Sequence, residues 1–320
     1  MKLKNSSEQS IEFFCPSCGS ENIKDRWLIN DGDRKLSVLW FKNCGPGQLN
    51  PIPTVEELKQ QYSSQPVYGL NYRNESHGGF PIRVKRLSKL FPQRGRLLDI
   101  GSGLGYFLKI AQDDGWEVEG IEPRSAAAKY CYENFTIKAH EGFLEDFESK
   151  PGIYDVITLW DVLEHVSNHI RFIERSIDLL APGGILVLAI PNASGLPARI
   201  FKGRWRYVMA SHLHYFKMPY IKQLLTSRKM VVERADHTLK IHSLIQGFIS
   251  LLPFNVDKAR VFKLGIRDND QKINLVENSG SINRKENPLK IARKLVFKFN
   301  MIKLPWDIGD MVDLYCRKGR

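Results

Sequence analysis

The chain has 320 residues, of which 42% are hydrophobic and 26% charged, and its formal net charge at pH 7 is +12. This composition is typical of a globular protein, and the five cysteines, two of them in the C-x-x-C spacing of Cys15 and Cys18, do not have the pattern of a secreted disulfide framework. No apolar run reaches the roughly 18 residues of a membrane-spanning helix, and the polar amino terminus lacks a signal segment, so we expect a cytoplasmic protein.

A cysteine-bearing module is predicted at residues 1–55. Cys15 and Cys18 form a C-x-x-C-G knuckle of the zinc-ribbon type, for which a second knuckle would supply two more thiolates. Only Cys44 is present in that second knuckle, because Phe41 stands where the other cysteine is expected. Three thiolates and an outside ligand can still hold a structural zinc ion; alternatively the module has lost its metal and is retained for its packing.

Residues 56–95 predict a helical linker. Thr54 and Glu57 have the spacing of a capping box at a helix amino terminus. A second helix is expected at 80–92, directly before the main domain.

Short apolar runs then alternate with helical segments, which predicts an α/β fold with a parallel sheet covered by helices on both faces. The expected strands are 96–100, 117–122, 136–142, 154–160, 184–192, 230–238 and 311–318. The expected helices are 105–113, 125–134, 168–180 and 216–229.

Three glycines follow the first of these strands in the spacing Gly101-x-Gly103-x-Gly105. A dinucleotide-binding fold spaces its glycines as G-x-G-x-x-G and directs a helix amino terminus at a pyrophosphate. Asp99, just before the loop, would repel a phosphate but suits a ligand with a positive amine or sulfonium. Glu122, at the end of the second strand, can accept both hydroxyls of a ribose. The spacing therefore favours S-adenosylmethionine over a nicotinamide cofactor.

These motifs, together with YDVITLWDVLEHV (154–166) and LLAPGGILVLAIPN (179–192), resemble those of the class I S-adenosylmethionine-dependent methyltransferases. The similar branch contains the ubiquinone-pathway O-methyltransferases and methyltransferases of polysaccharide and natural-product pathways. HLHYFKMPYIKQLLTSRKM (212–230) is similar to the segment that follows in that branch. The resemblance implies a doubly wound, Rossmann-like sheet of seven mostly parallel strands, whose last strand runs antiparallel beside the sixth. A cysteine module ending in a run like Asn-Pro-Ile-Pro (50–53) often precedes the catalytic domain in this branch.

The resemblance also implies roles for individual residues. Asp99 and the three glycines would line the methionine and ribose part of the cofactor, and Glu122 would bind the ribose hydroxyls. The residues expected near the adenine are Leu144, Glu145 and Asp146. Trp160 and Asp161, at the carboxyl end of the fourth strand, would face cofactor and substrate; alternatively Trp160 is a core aromatic.

Positive charge is concentrated in the last part of the chain, where residues 196–320 carry a net +15 against −8 for 96–195. Residues 241–304 predict a basic helical insertion between two catalytic segments, 96–240 and 305–320. One interpretation is a lid packed on the catalytic domain with its charges in water. The other is a surface that reaches an anionic acceptor, lipid-linked or phosphorylated, through peripheral contact with a membrane.

Three histidines are candidates for proton removal. A sulfonium donor needs no acid for its leaving group, but the acceptor hydroxyl must be aligned and must lose its proton. His165 is the predicted base and His214 the second choice, since histidine suits this role near neutral pH. His212 alternates with His214, so both would point to one side of an extended segment. Their structural alternatives are a brace for the loop at His165 and a buried, hydrogen-bonded pair at the other two.

The leading hypothesis is an S-adenosylmethionine-dependent O-methyltransferase of a small-molecule, saccharide, lipid-linked or quinone-like acceptor. An RNA methyltransferase is a second hypothesis, because a cysteine knuckle and positive charge can dock a folded RNA, although the sequence shows no RNA-recognition motif. A third is a protein that binds the cofactor without transferring methyl groups. Fold alone does not name the acceptor.

Overall fold

A computed structural model describes residues 19–31, 34–42, 45–64, 79–240, 243–244, 247–248, 301–304 and 307–319. The cysteines of the predicted zinc site lie outside the described residues; they are Cys15, Cys18 and Cys44. Nearly all of the predicted insertion at 241–304 lies outside them as well. Within the described ranges, no helix has the length and apolar character that crossing a membrane requires.

The described part of the chain forms twelve strands and seven α-helices. The strands are β1 (Ile23–Asp31), β2 (Arg34–Phe41), β3 (Gly47–Asn50), β4 (Arg96–Ile100), β5 (Glu117–Glu122), β6 (Ala139–Glu141), β7 (Tyr154–Trp160), β8 (Leu180–Pro191), β9 (His214–Tyr215), β10 (Met230–Lys240), β11 (Met301–Leu304) and β12 (Met311–Lys318). The helices are α1 (Val55–Ser64), α2 (Phe80–Leu90), α3 (Tyr106–Asp113), α4 (Ser125–Phe135), α5 (His169–Leu179), α6 (Leu196–Phe201) and α7 (Met218–Thr226).

The larger sheet has the strand order β11-β10-β12-β8-β7-β4-β5-β6. The five strands from β8 to β6 run parallel, and β12 runs antiparallel between β8 and β10. This confirms the predicted doubly wound α/β sheet of seven mostly parallel strands with its antiparallel last strand. β11 adds an eighth strand at the edge by pairing antiparallel with β10, and it lies in the segment for which the sequence predicts a helical insertion.

The central strands are buried on both faces, which explains their near-continuous apolar sequences. On one face, α5 and α7 pack against the sheet and contribute side chains such as Ile173 and Ile221 to the core. On the other face, α2, α3 and α4 contribute side chains such as Leu87, Phe107 and Cys131. Because helices cover both faces of the sheet, a ligand is expected at the carboxyl ends of the parallel strands.

A smaller antiparallel sheet has the order β1-β2-β3-β9. Its apolar face, which includes Trp27 and Trp40, packs with Phe201 and Trp205 in one buried cluster. Because β9 pairs with β3, the amino-terminal strands are joined to the segment that carries two of the candidate histidines.

The helix after this sheet begins with the predicted capping box. The Thr54 N–H donates to Glu57 Oε2 at 2.7 Å, and the Glu57 N–H donates to Thr54 Oγ1 at 3.1 Å. This reciprocal pair satisfies two of the backbone donors that a helix amino terminus leaves free, and it confirms the start of α1.

Candidate active site

The loop between β4 and α3 turns at three glycines. Gly101, Gly103 and Gly105 have φ angles of 76°, 55° and 81°, a region that residues with side chains rarely adopt. A Cβ on Gly101 would come within 2.6 Å of Val162 Cγ2, and one on Gly105 would collide with the Cys131 thiol. A Cβ on Gly103 would meet no atom within 4 Å. The loop backbone at Gly103 therefore borders open space, where a ligand can approach it closely.

Glu122 ends β5 beside this loop and is 2% exposed. Its Oε2 accepts the Gly103 N–H at 2.7 Å and its Oε1 accepts the Arg124 N–H at 3.0 Å. Burial raises the pKa of Glu122, while these hydrogen bonds and the Arg124 charge lower it. Because a carboxylate oxygen has two lone pairs, each oxygen can accept one more hydrogen bond. Glu122 thus has the acceptor capacity that the predicted ribose contact requires.

Asp99 is a second buried acid at the end of β4, and it is also 2% exposed. Thr158 Oγ1 donates to its Oδ1 at 2.6 Å. Burial, and to a smaller extent the charge of Glu122, raise the pKa of Asp99 to about 8, against the lowering effects of the Thr158 hydrogen bond and the Arg83 charge. The buried Glu122 carboxylate beside the loop would repel a phosphate and attract a cation, and a bound cation would favour loss of the Asp99 proton. These two acids fit S-adenosylmethionine, which carries an ammonium, a sulfonium and the hydroxyls of a ribose.

The residues predicted near the adenine form a short 3-10 turn after β6. Leu144 is buried in the core, whereas Glu145 and Asp146 are exposed. Asp146 lies 3.4 Å from the Lys59 ammonium of α1. The turn lies at the β6 edge of the sheet, and the adenine contact stays a prediction.

Trp160 and Asp161 lie where β7 ends. The Trp160 ring is 9% exposed, its centroid is 5.0 Å from that of Phe107, and the Arg83 guanidinium lies 4.3 Å from it. Most of the ring is therefore packed in the core, although its Nε1 has no hydrogen-bond partner among the described residues. Asp161 is exposed, with a φ angle of 55°. Their contacts with cofactor and substrate stay predictions.

The structure brings His165 and His212 together, with ring centroids 4.7 Å apart. Glu164 completes a cluster in which one ligand atom of each residue lies within 4.8 Å of the others. Both carboxylate oxygens of Glu164 and Nδ1 of His212 are buried without hydrogen-bond partners in the described part of the chain. Burial, and then the charge of Asp161, raise the pKa of Glu164 well above its ordinary value. This cluster has the donor types and spacing to hold a divalent cation.

His214 lies apart from that cluster. Its Nε2 is 3.2 Å from the Ser167 carbonyl oxygen, and its ring centroid is 4.4 Å from that of His169. The side chain is 2% exposed, and burial lowers its pKa to about 4. His214 is thus a neutral, buried group at pH 7, and its role as the alternative base stays a prediction.

Comparisons with known proteins decide the family. A family model described as a methyltransferase domain matches residues 78–232. The ubiquinone biosynthesis O-methyltransferase of Actinobacillus pleuropneumoniae serotype 7 (strain AP76) is 32% identical over 181 residues, covering 53% of this chain and 67% of that protein. The chain belongs to the class I S-adenosylmethionine-dependent methyltransferases.

Other relatives of this chain carry the same name. The ubiquinone biosynthesis O-methyltransferase of Nitrobacter winogradskyi is 32% identical, covering 53% of this chain, and that of Rhodopseudomonas palustris (strain TIE-1) is 28% identical, covering 49%. The chain spans 64% and 59% of the length of these two proteins. A solved SAM-dependent methyltransferase from Archaeoglobus fulgidus is 16% identical with a TM-score of 0.45, covering 76% of this chain and 94% of that one.

Sequence reasoning missed Glu164, Tyr207 and Lys240. Glu164 directly precedes His165, and an acid beside a candidate base is a signal that the sequence offers. Tyr207 and Lys240 carry no such local signal, because only the fold brings the Lys240 ammonium to 5.8 Å from the Tyr207 ring centroid.

Proposed function

We propose that this methyltransferase transfers a methyl group from S-adenosylmethionine to a hydroxyl of a small molecule. The observation that carries the proposal is the pair of buried acids beside the glycine loop, in which Glu122 accepts the Gly103 N–H at 2.7 Å. The relatives' name, ubiquinone biosynthesis O-methyltransferase, supports an oxygen acceptor. A quinone-like, saccharide or lipid-linked hydroxyl compound fits this proposal.

When bound, S-adenosylmethionine supplies a methyl group on a sulfonium, so the chain must align the acceptor hydroxyl and remove its proton. His165 is suited to the second task. Its Nδ1 lies 2.7 Å from the Ser211 carbonyl oxygen, and because a carbonyl only accepts, Nδ1 carries the hydrogen and Nε2 keeps its lone pair. Burial lowers the pKa of His165, which keeps the ring neutral and able to accept a proton at pH 7.

A divalent cation held by Glu164, His165 and His212 is the second candidate for activating the hydroxyl. A cation would neutralise a buried carboxylate that has no hydrogen-bond donor among the described residues. It would also lower the pKa of a hydroxyl bound to it. His165 Nε2 cannot bind a cation and take a proton at once, so the two arrangements are alternatives.

Methyl transfer with and without a chelator tests the proposal and separates the alternatives. The protein is incubated with S-adenosylmethionine labelled in its methyl group and a small-molecule extract. Loss of label transfer on chelation and its return with Mg²⁺ or Mn²⁺ would support the cation, whereas transfer that resists chelation would support His165 as the base. If a cation is bound, Glu164→Gln should lower the amount of divalent metal per chain. The surface variant Glu174→Gln is the control and should leave that amount unchanged.

A further inference from the structure

Two cationic side chains contact one buried tyrosine next to the cluster of Glu164, His165 and His212. The Arg206 guanidinium lies 5.3 Å from the Tyr207 ring centroid, and the Lys240 ammonium lies 5.8 Å from it. Tyr207 is 8% exposed and stacks on His212 at 6.3 Å with an interplanar angle of 17°. The His212 ring in turn contacts that of His165. Two rings therefore lie between the cations and the predicted base.

The position of Lys240 in the sheet places the pair on the substrate side. Lys240 ends β10, which runs parallel to β8 because both pair antiparallel with β12. The carboxyl ends of β4, β5 and β7 lie at this same edge, where open α/β sheets bind their ligands. Interaction with Tyr207, and then the charge of Asp161, raise the pKa of Lys240 against the lowering effect of burial. Lys240 is therefore a cation at pH 7.

Neither cation has an ion-pair partner within 4.0 Å in the described ranges. Arg206 Nη1 is buried and has no hydrogen-bond partner there. Asp310, which is buried, accepts the backbone N–H of Lys240 at 2.9 Å rather than its ammonium. The charge of Arg206 lowers the pKa of Lys240, although the raising effects of Tyr207 and Asp161 outweigh it. A bound anion would be attracted by both cations and would give Arg206 Nη1 the acceptor that it lacks.

We propose that Arg206 and Lys240 bind an oxyanion of the methyl acceptor, a carboxylate or a phosphate, and so select anionic acceptors. The inference rests on the proposed function, because it assigns the substrate class of that site. A planar guanidinium fork and a compact ammonium are the two groups that proteins use to bind carboxylate and phosphate oxygens. A neutral acceptor would leave this guanidinium donor without an acceptor and would gain none of the hydrogen-bond energy that an anion gains there.

Calorimetry with two probe anions tests this site. The full chain is saturated with S-adenosylhomocysteine and titrated with benzoate or inorganic phosphate, with chloride holding the ionic strength constant. The wild type should bind at least one anion, and Arg206→Gln and Lys240→Met should each weaken that binding about ten-fold or more. Arg199→Gln and Lys129→Met, which remove exposed charges, should leave it unchanged.

The outcomes separate the two anion types and the two proposals. Preference for benzoate identifies a carboxylate acceptor, and preference for phosphate a phosphorylated one. A wild type that binds neither anion, or control variants that lose as much affinity, would overturn the inference. Affinity for S-adenosylhomocysteine is read in the same samples: its absence in the wild type counts against the proposed function, not against the anion site. Lys240→Arg keeps the charge and should retain anion binding, which separates loss of the site from loss of folding.

Discussion

Replacing Glu122 with glutamine tests the cofactor site with the smallest change in shape. The carboxylate accepts the Gly103 N–H at 2.7 Å and the Arg124 N–H at 3.0 Å, and its remaining lone pairs are the proposed acceptors for the ribose. An amide has one acceptor oxygen, which one backbone donor already occupies, so at least one ribose hydroxyl would lose its charge-assisted acceptor. Loss of one charge-assisted hydrogen bond costs about 1.5–3 kcal/mol, which corresponds to about a 10- to 100-fold weaker affinity for S-adenosylhomocysteine.

Isothermal titration of S-adenosylhomocysteine measures this effect, and the same strand offers a matched control. Glu119 lies on β5 but bonds with Tyr154 and His140 instead of the glycine loop, so Glu119→Gln should bind with wild-type affinity. Equal affinities for the wild type and Glu122→Gln would refute the assignment of the ribose site.

Three further changes test other parts of the account. The pKa of Asp99 is raised from 3.8 to about 8, so between these pH values the folded state keeps a proton that the unfolded state loses. The wild type should therefore lose stability relative to Asp99→Asn as pH rises from about 4 to about 8. Thermal unfolding measures this, and melting temperatures of the two proteins that change equally with pH would count against it. His165→Ala should lower turnover by about 10²–10⁴-fold with unchanged S-adenosylhomocysteine affinity, and a fully active variant would exclude it as the base. Purified protein should carry less than one zinc per chain at the incomplete cysteine set, and a full equivalent that disappears in Cys44→Ser would show that a fourth ligand exists.

Much of the main sheet was predictable because its signals are local. YDVITLW (154–160) is an apolar run bounded by turn residues, and it forms β7 over that range. The expected strand at 136–142 is shorter, because Thr136 adopts a left-handed φ of 57° where α4 ends, and β6 begins only at Ala139. β11 was not predicted, since a four-residue strand far along the chain from its partner β10 has no distinctive pattern.

Only those parts of the site that have local sequence signals could be predicted. The glycine loop and Glu122 lie within two consecutive strand ends, so spacing alone predicted that they act together. The contact between His165 and the Ser211 carbonyl joins residues 46 positions apart, and it depends on the return of the chain through β9. For the same reason the sequence did not indicate that His212 lies against His165 whereas His214 lies against His169.

Transfer of a labelled methyl group to fractionated cell extract tests the central claim most directly. The wild type, given S-adenosylmethionine labelled in its methyl group, should place label in a small-molecule fraction, and Glu122→Gln should do so more slowly at limiting cofactor. Label in the RNA fraction would contradict the small-molecule acceptor, and no label in any fraction despite tight cofactor binding would contradict methyl transfer itself.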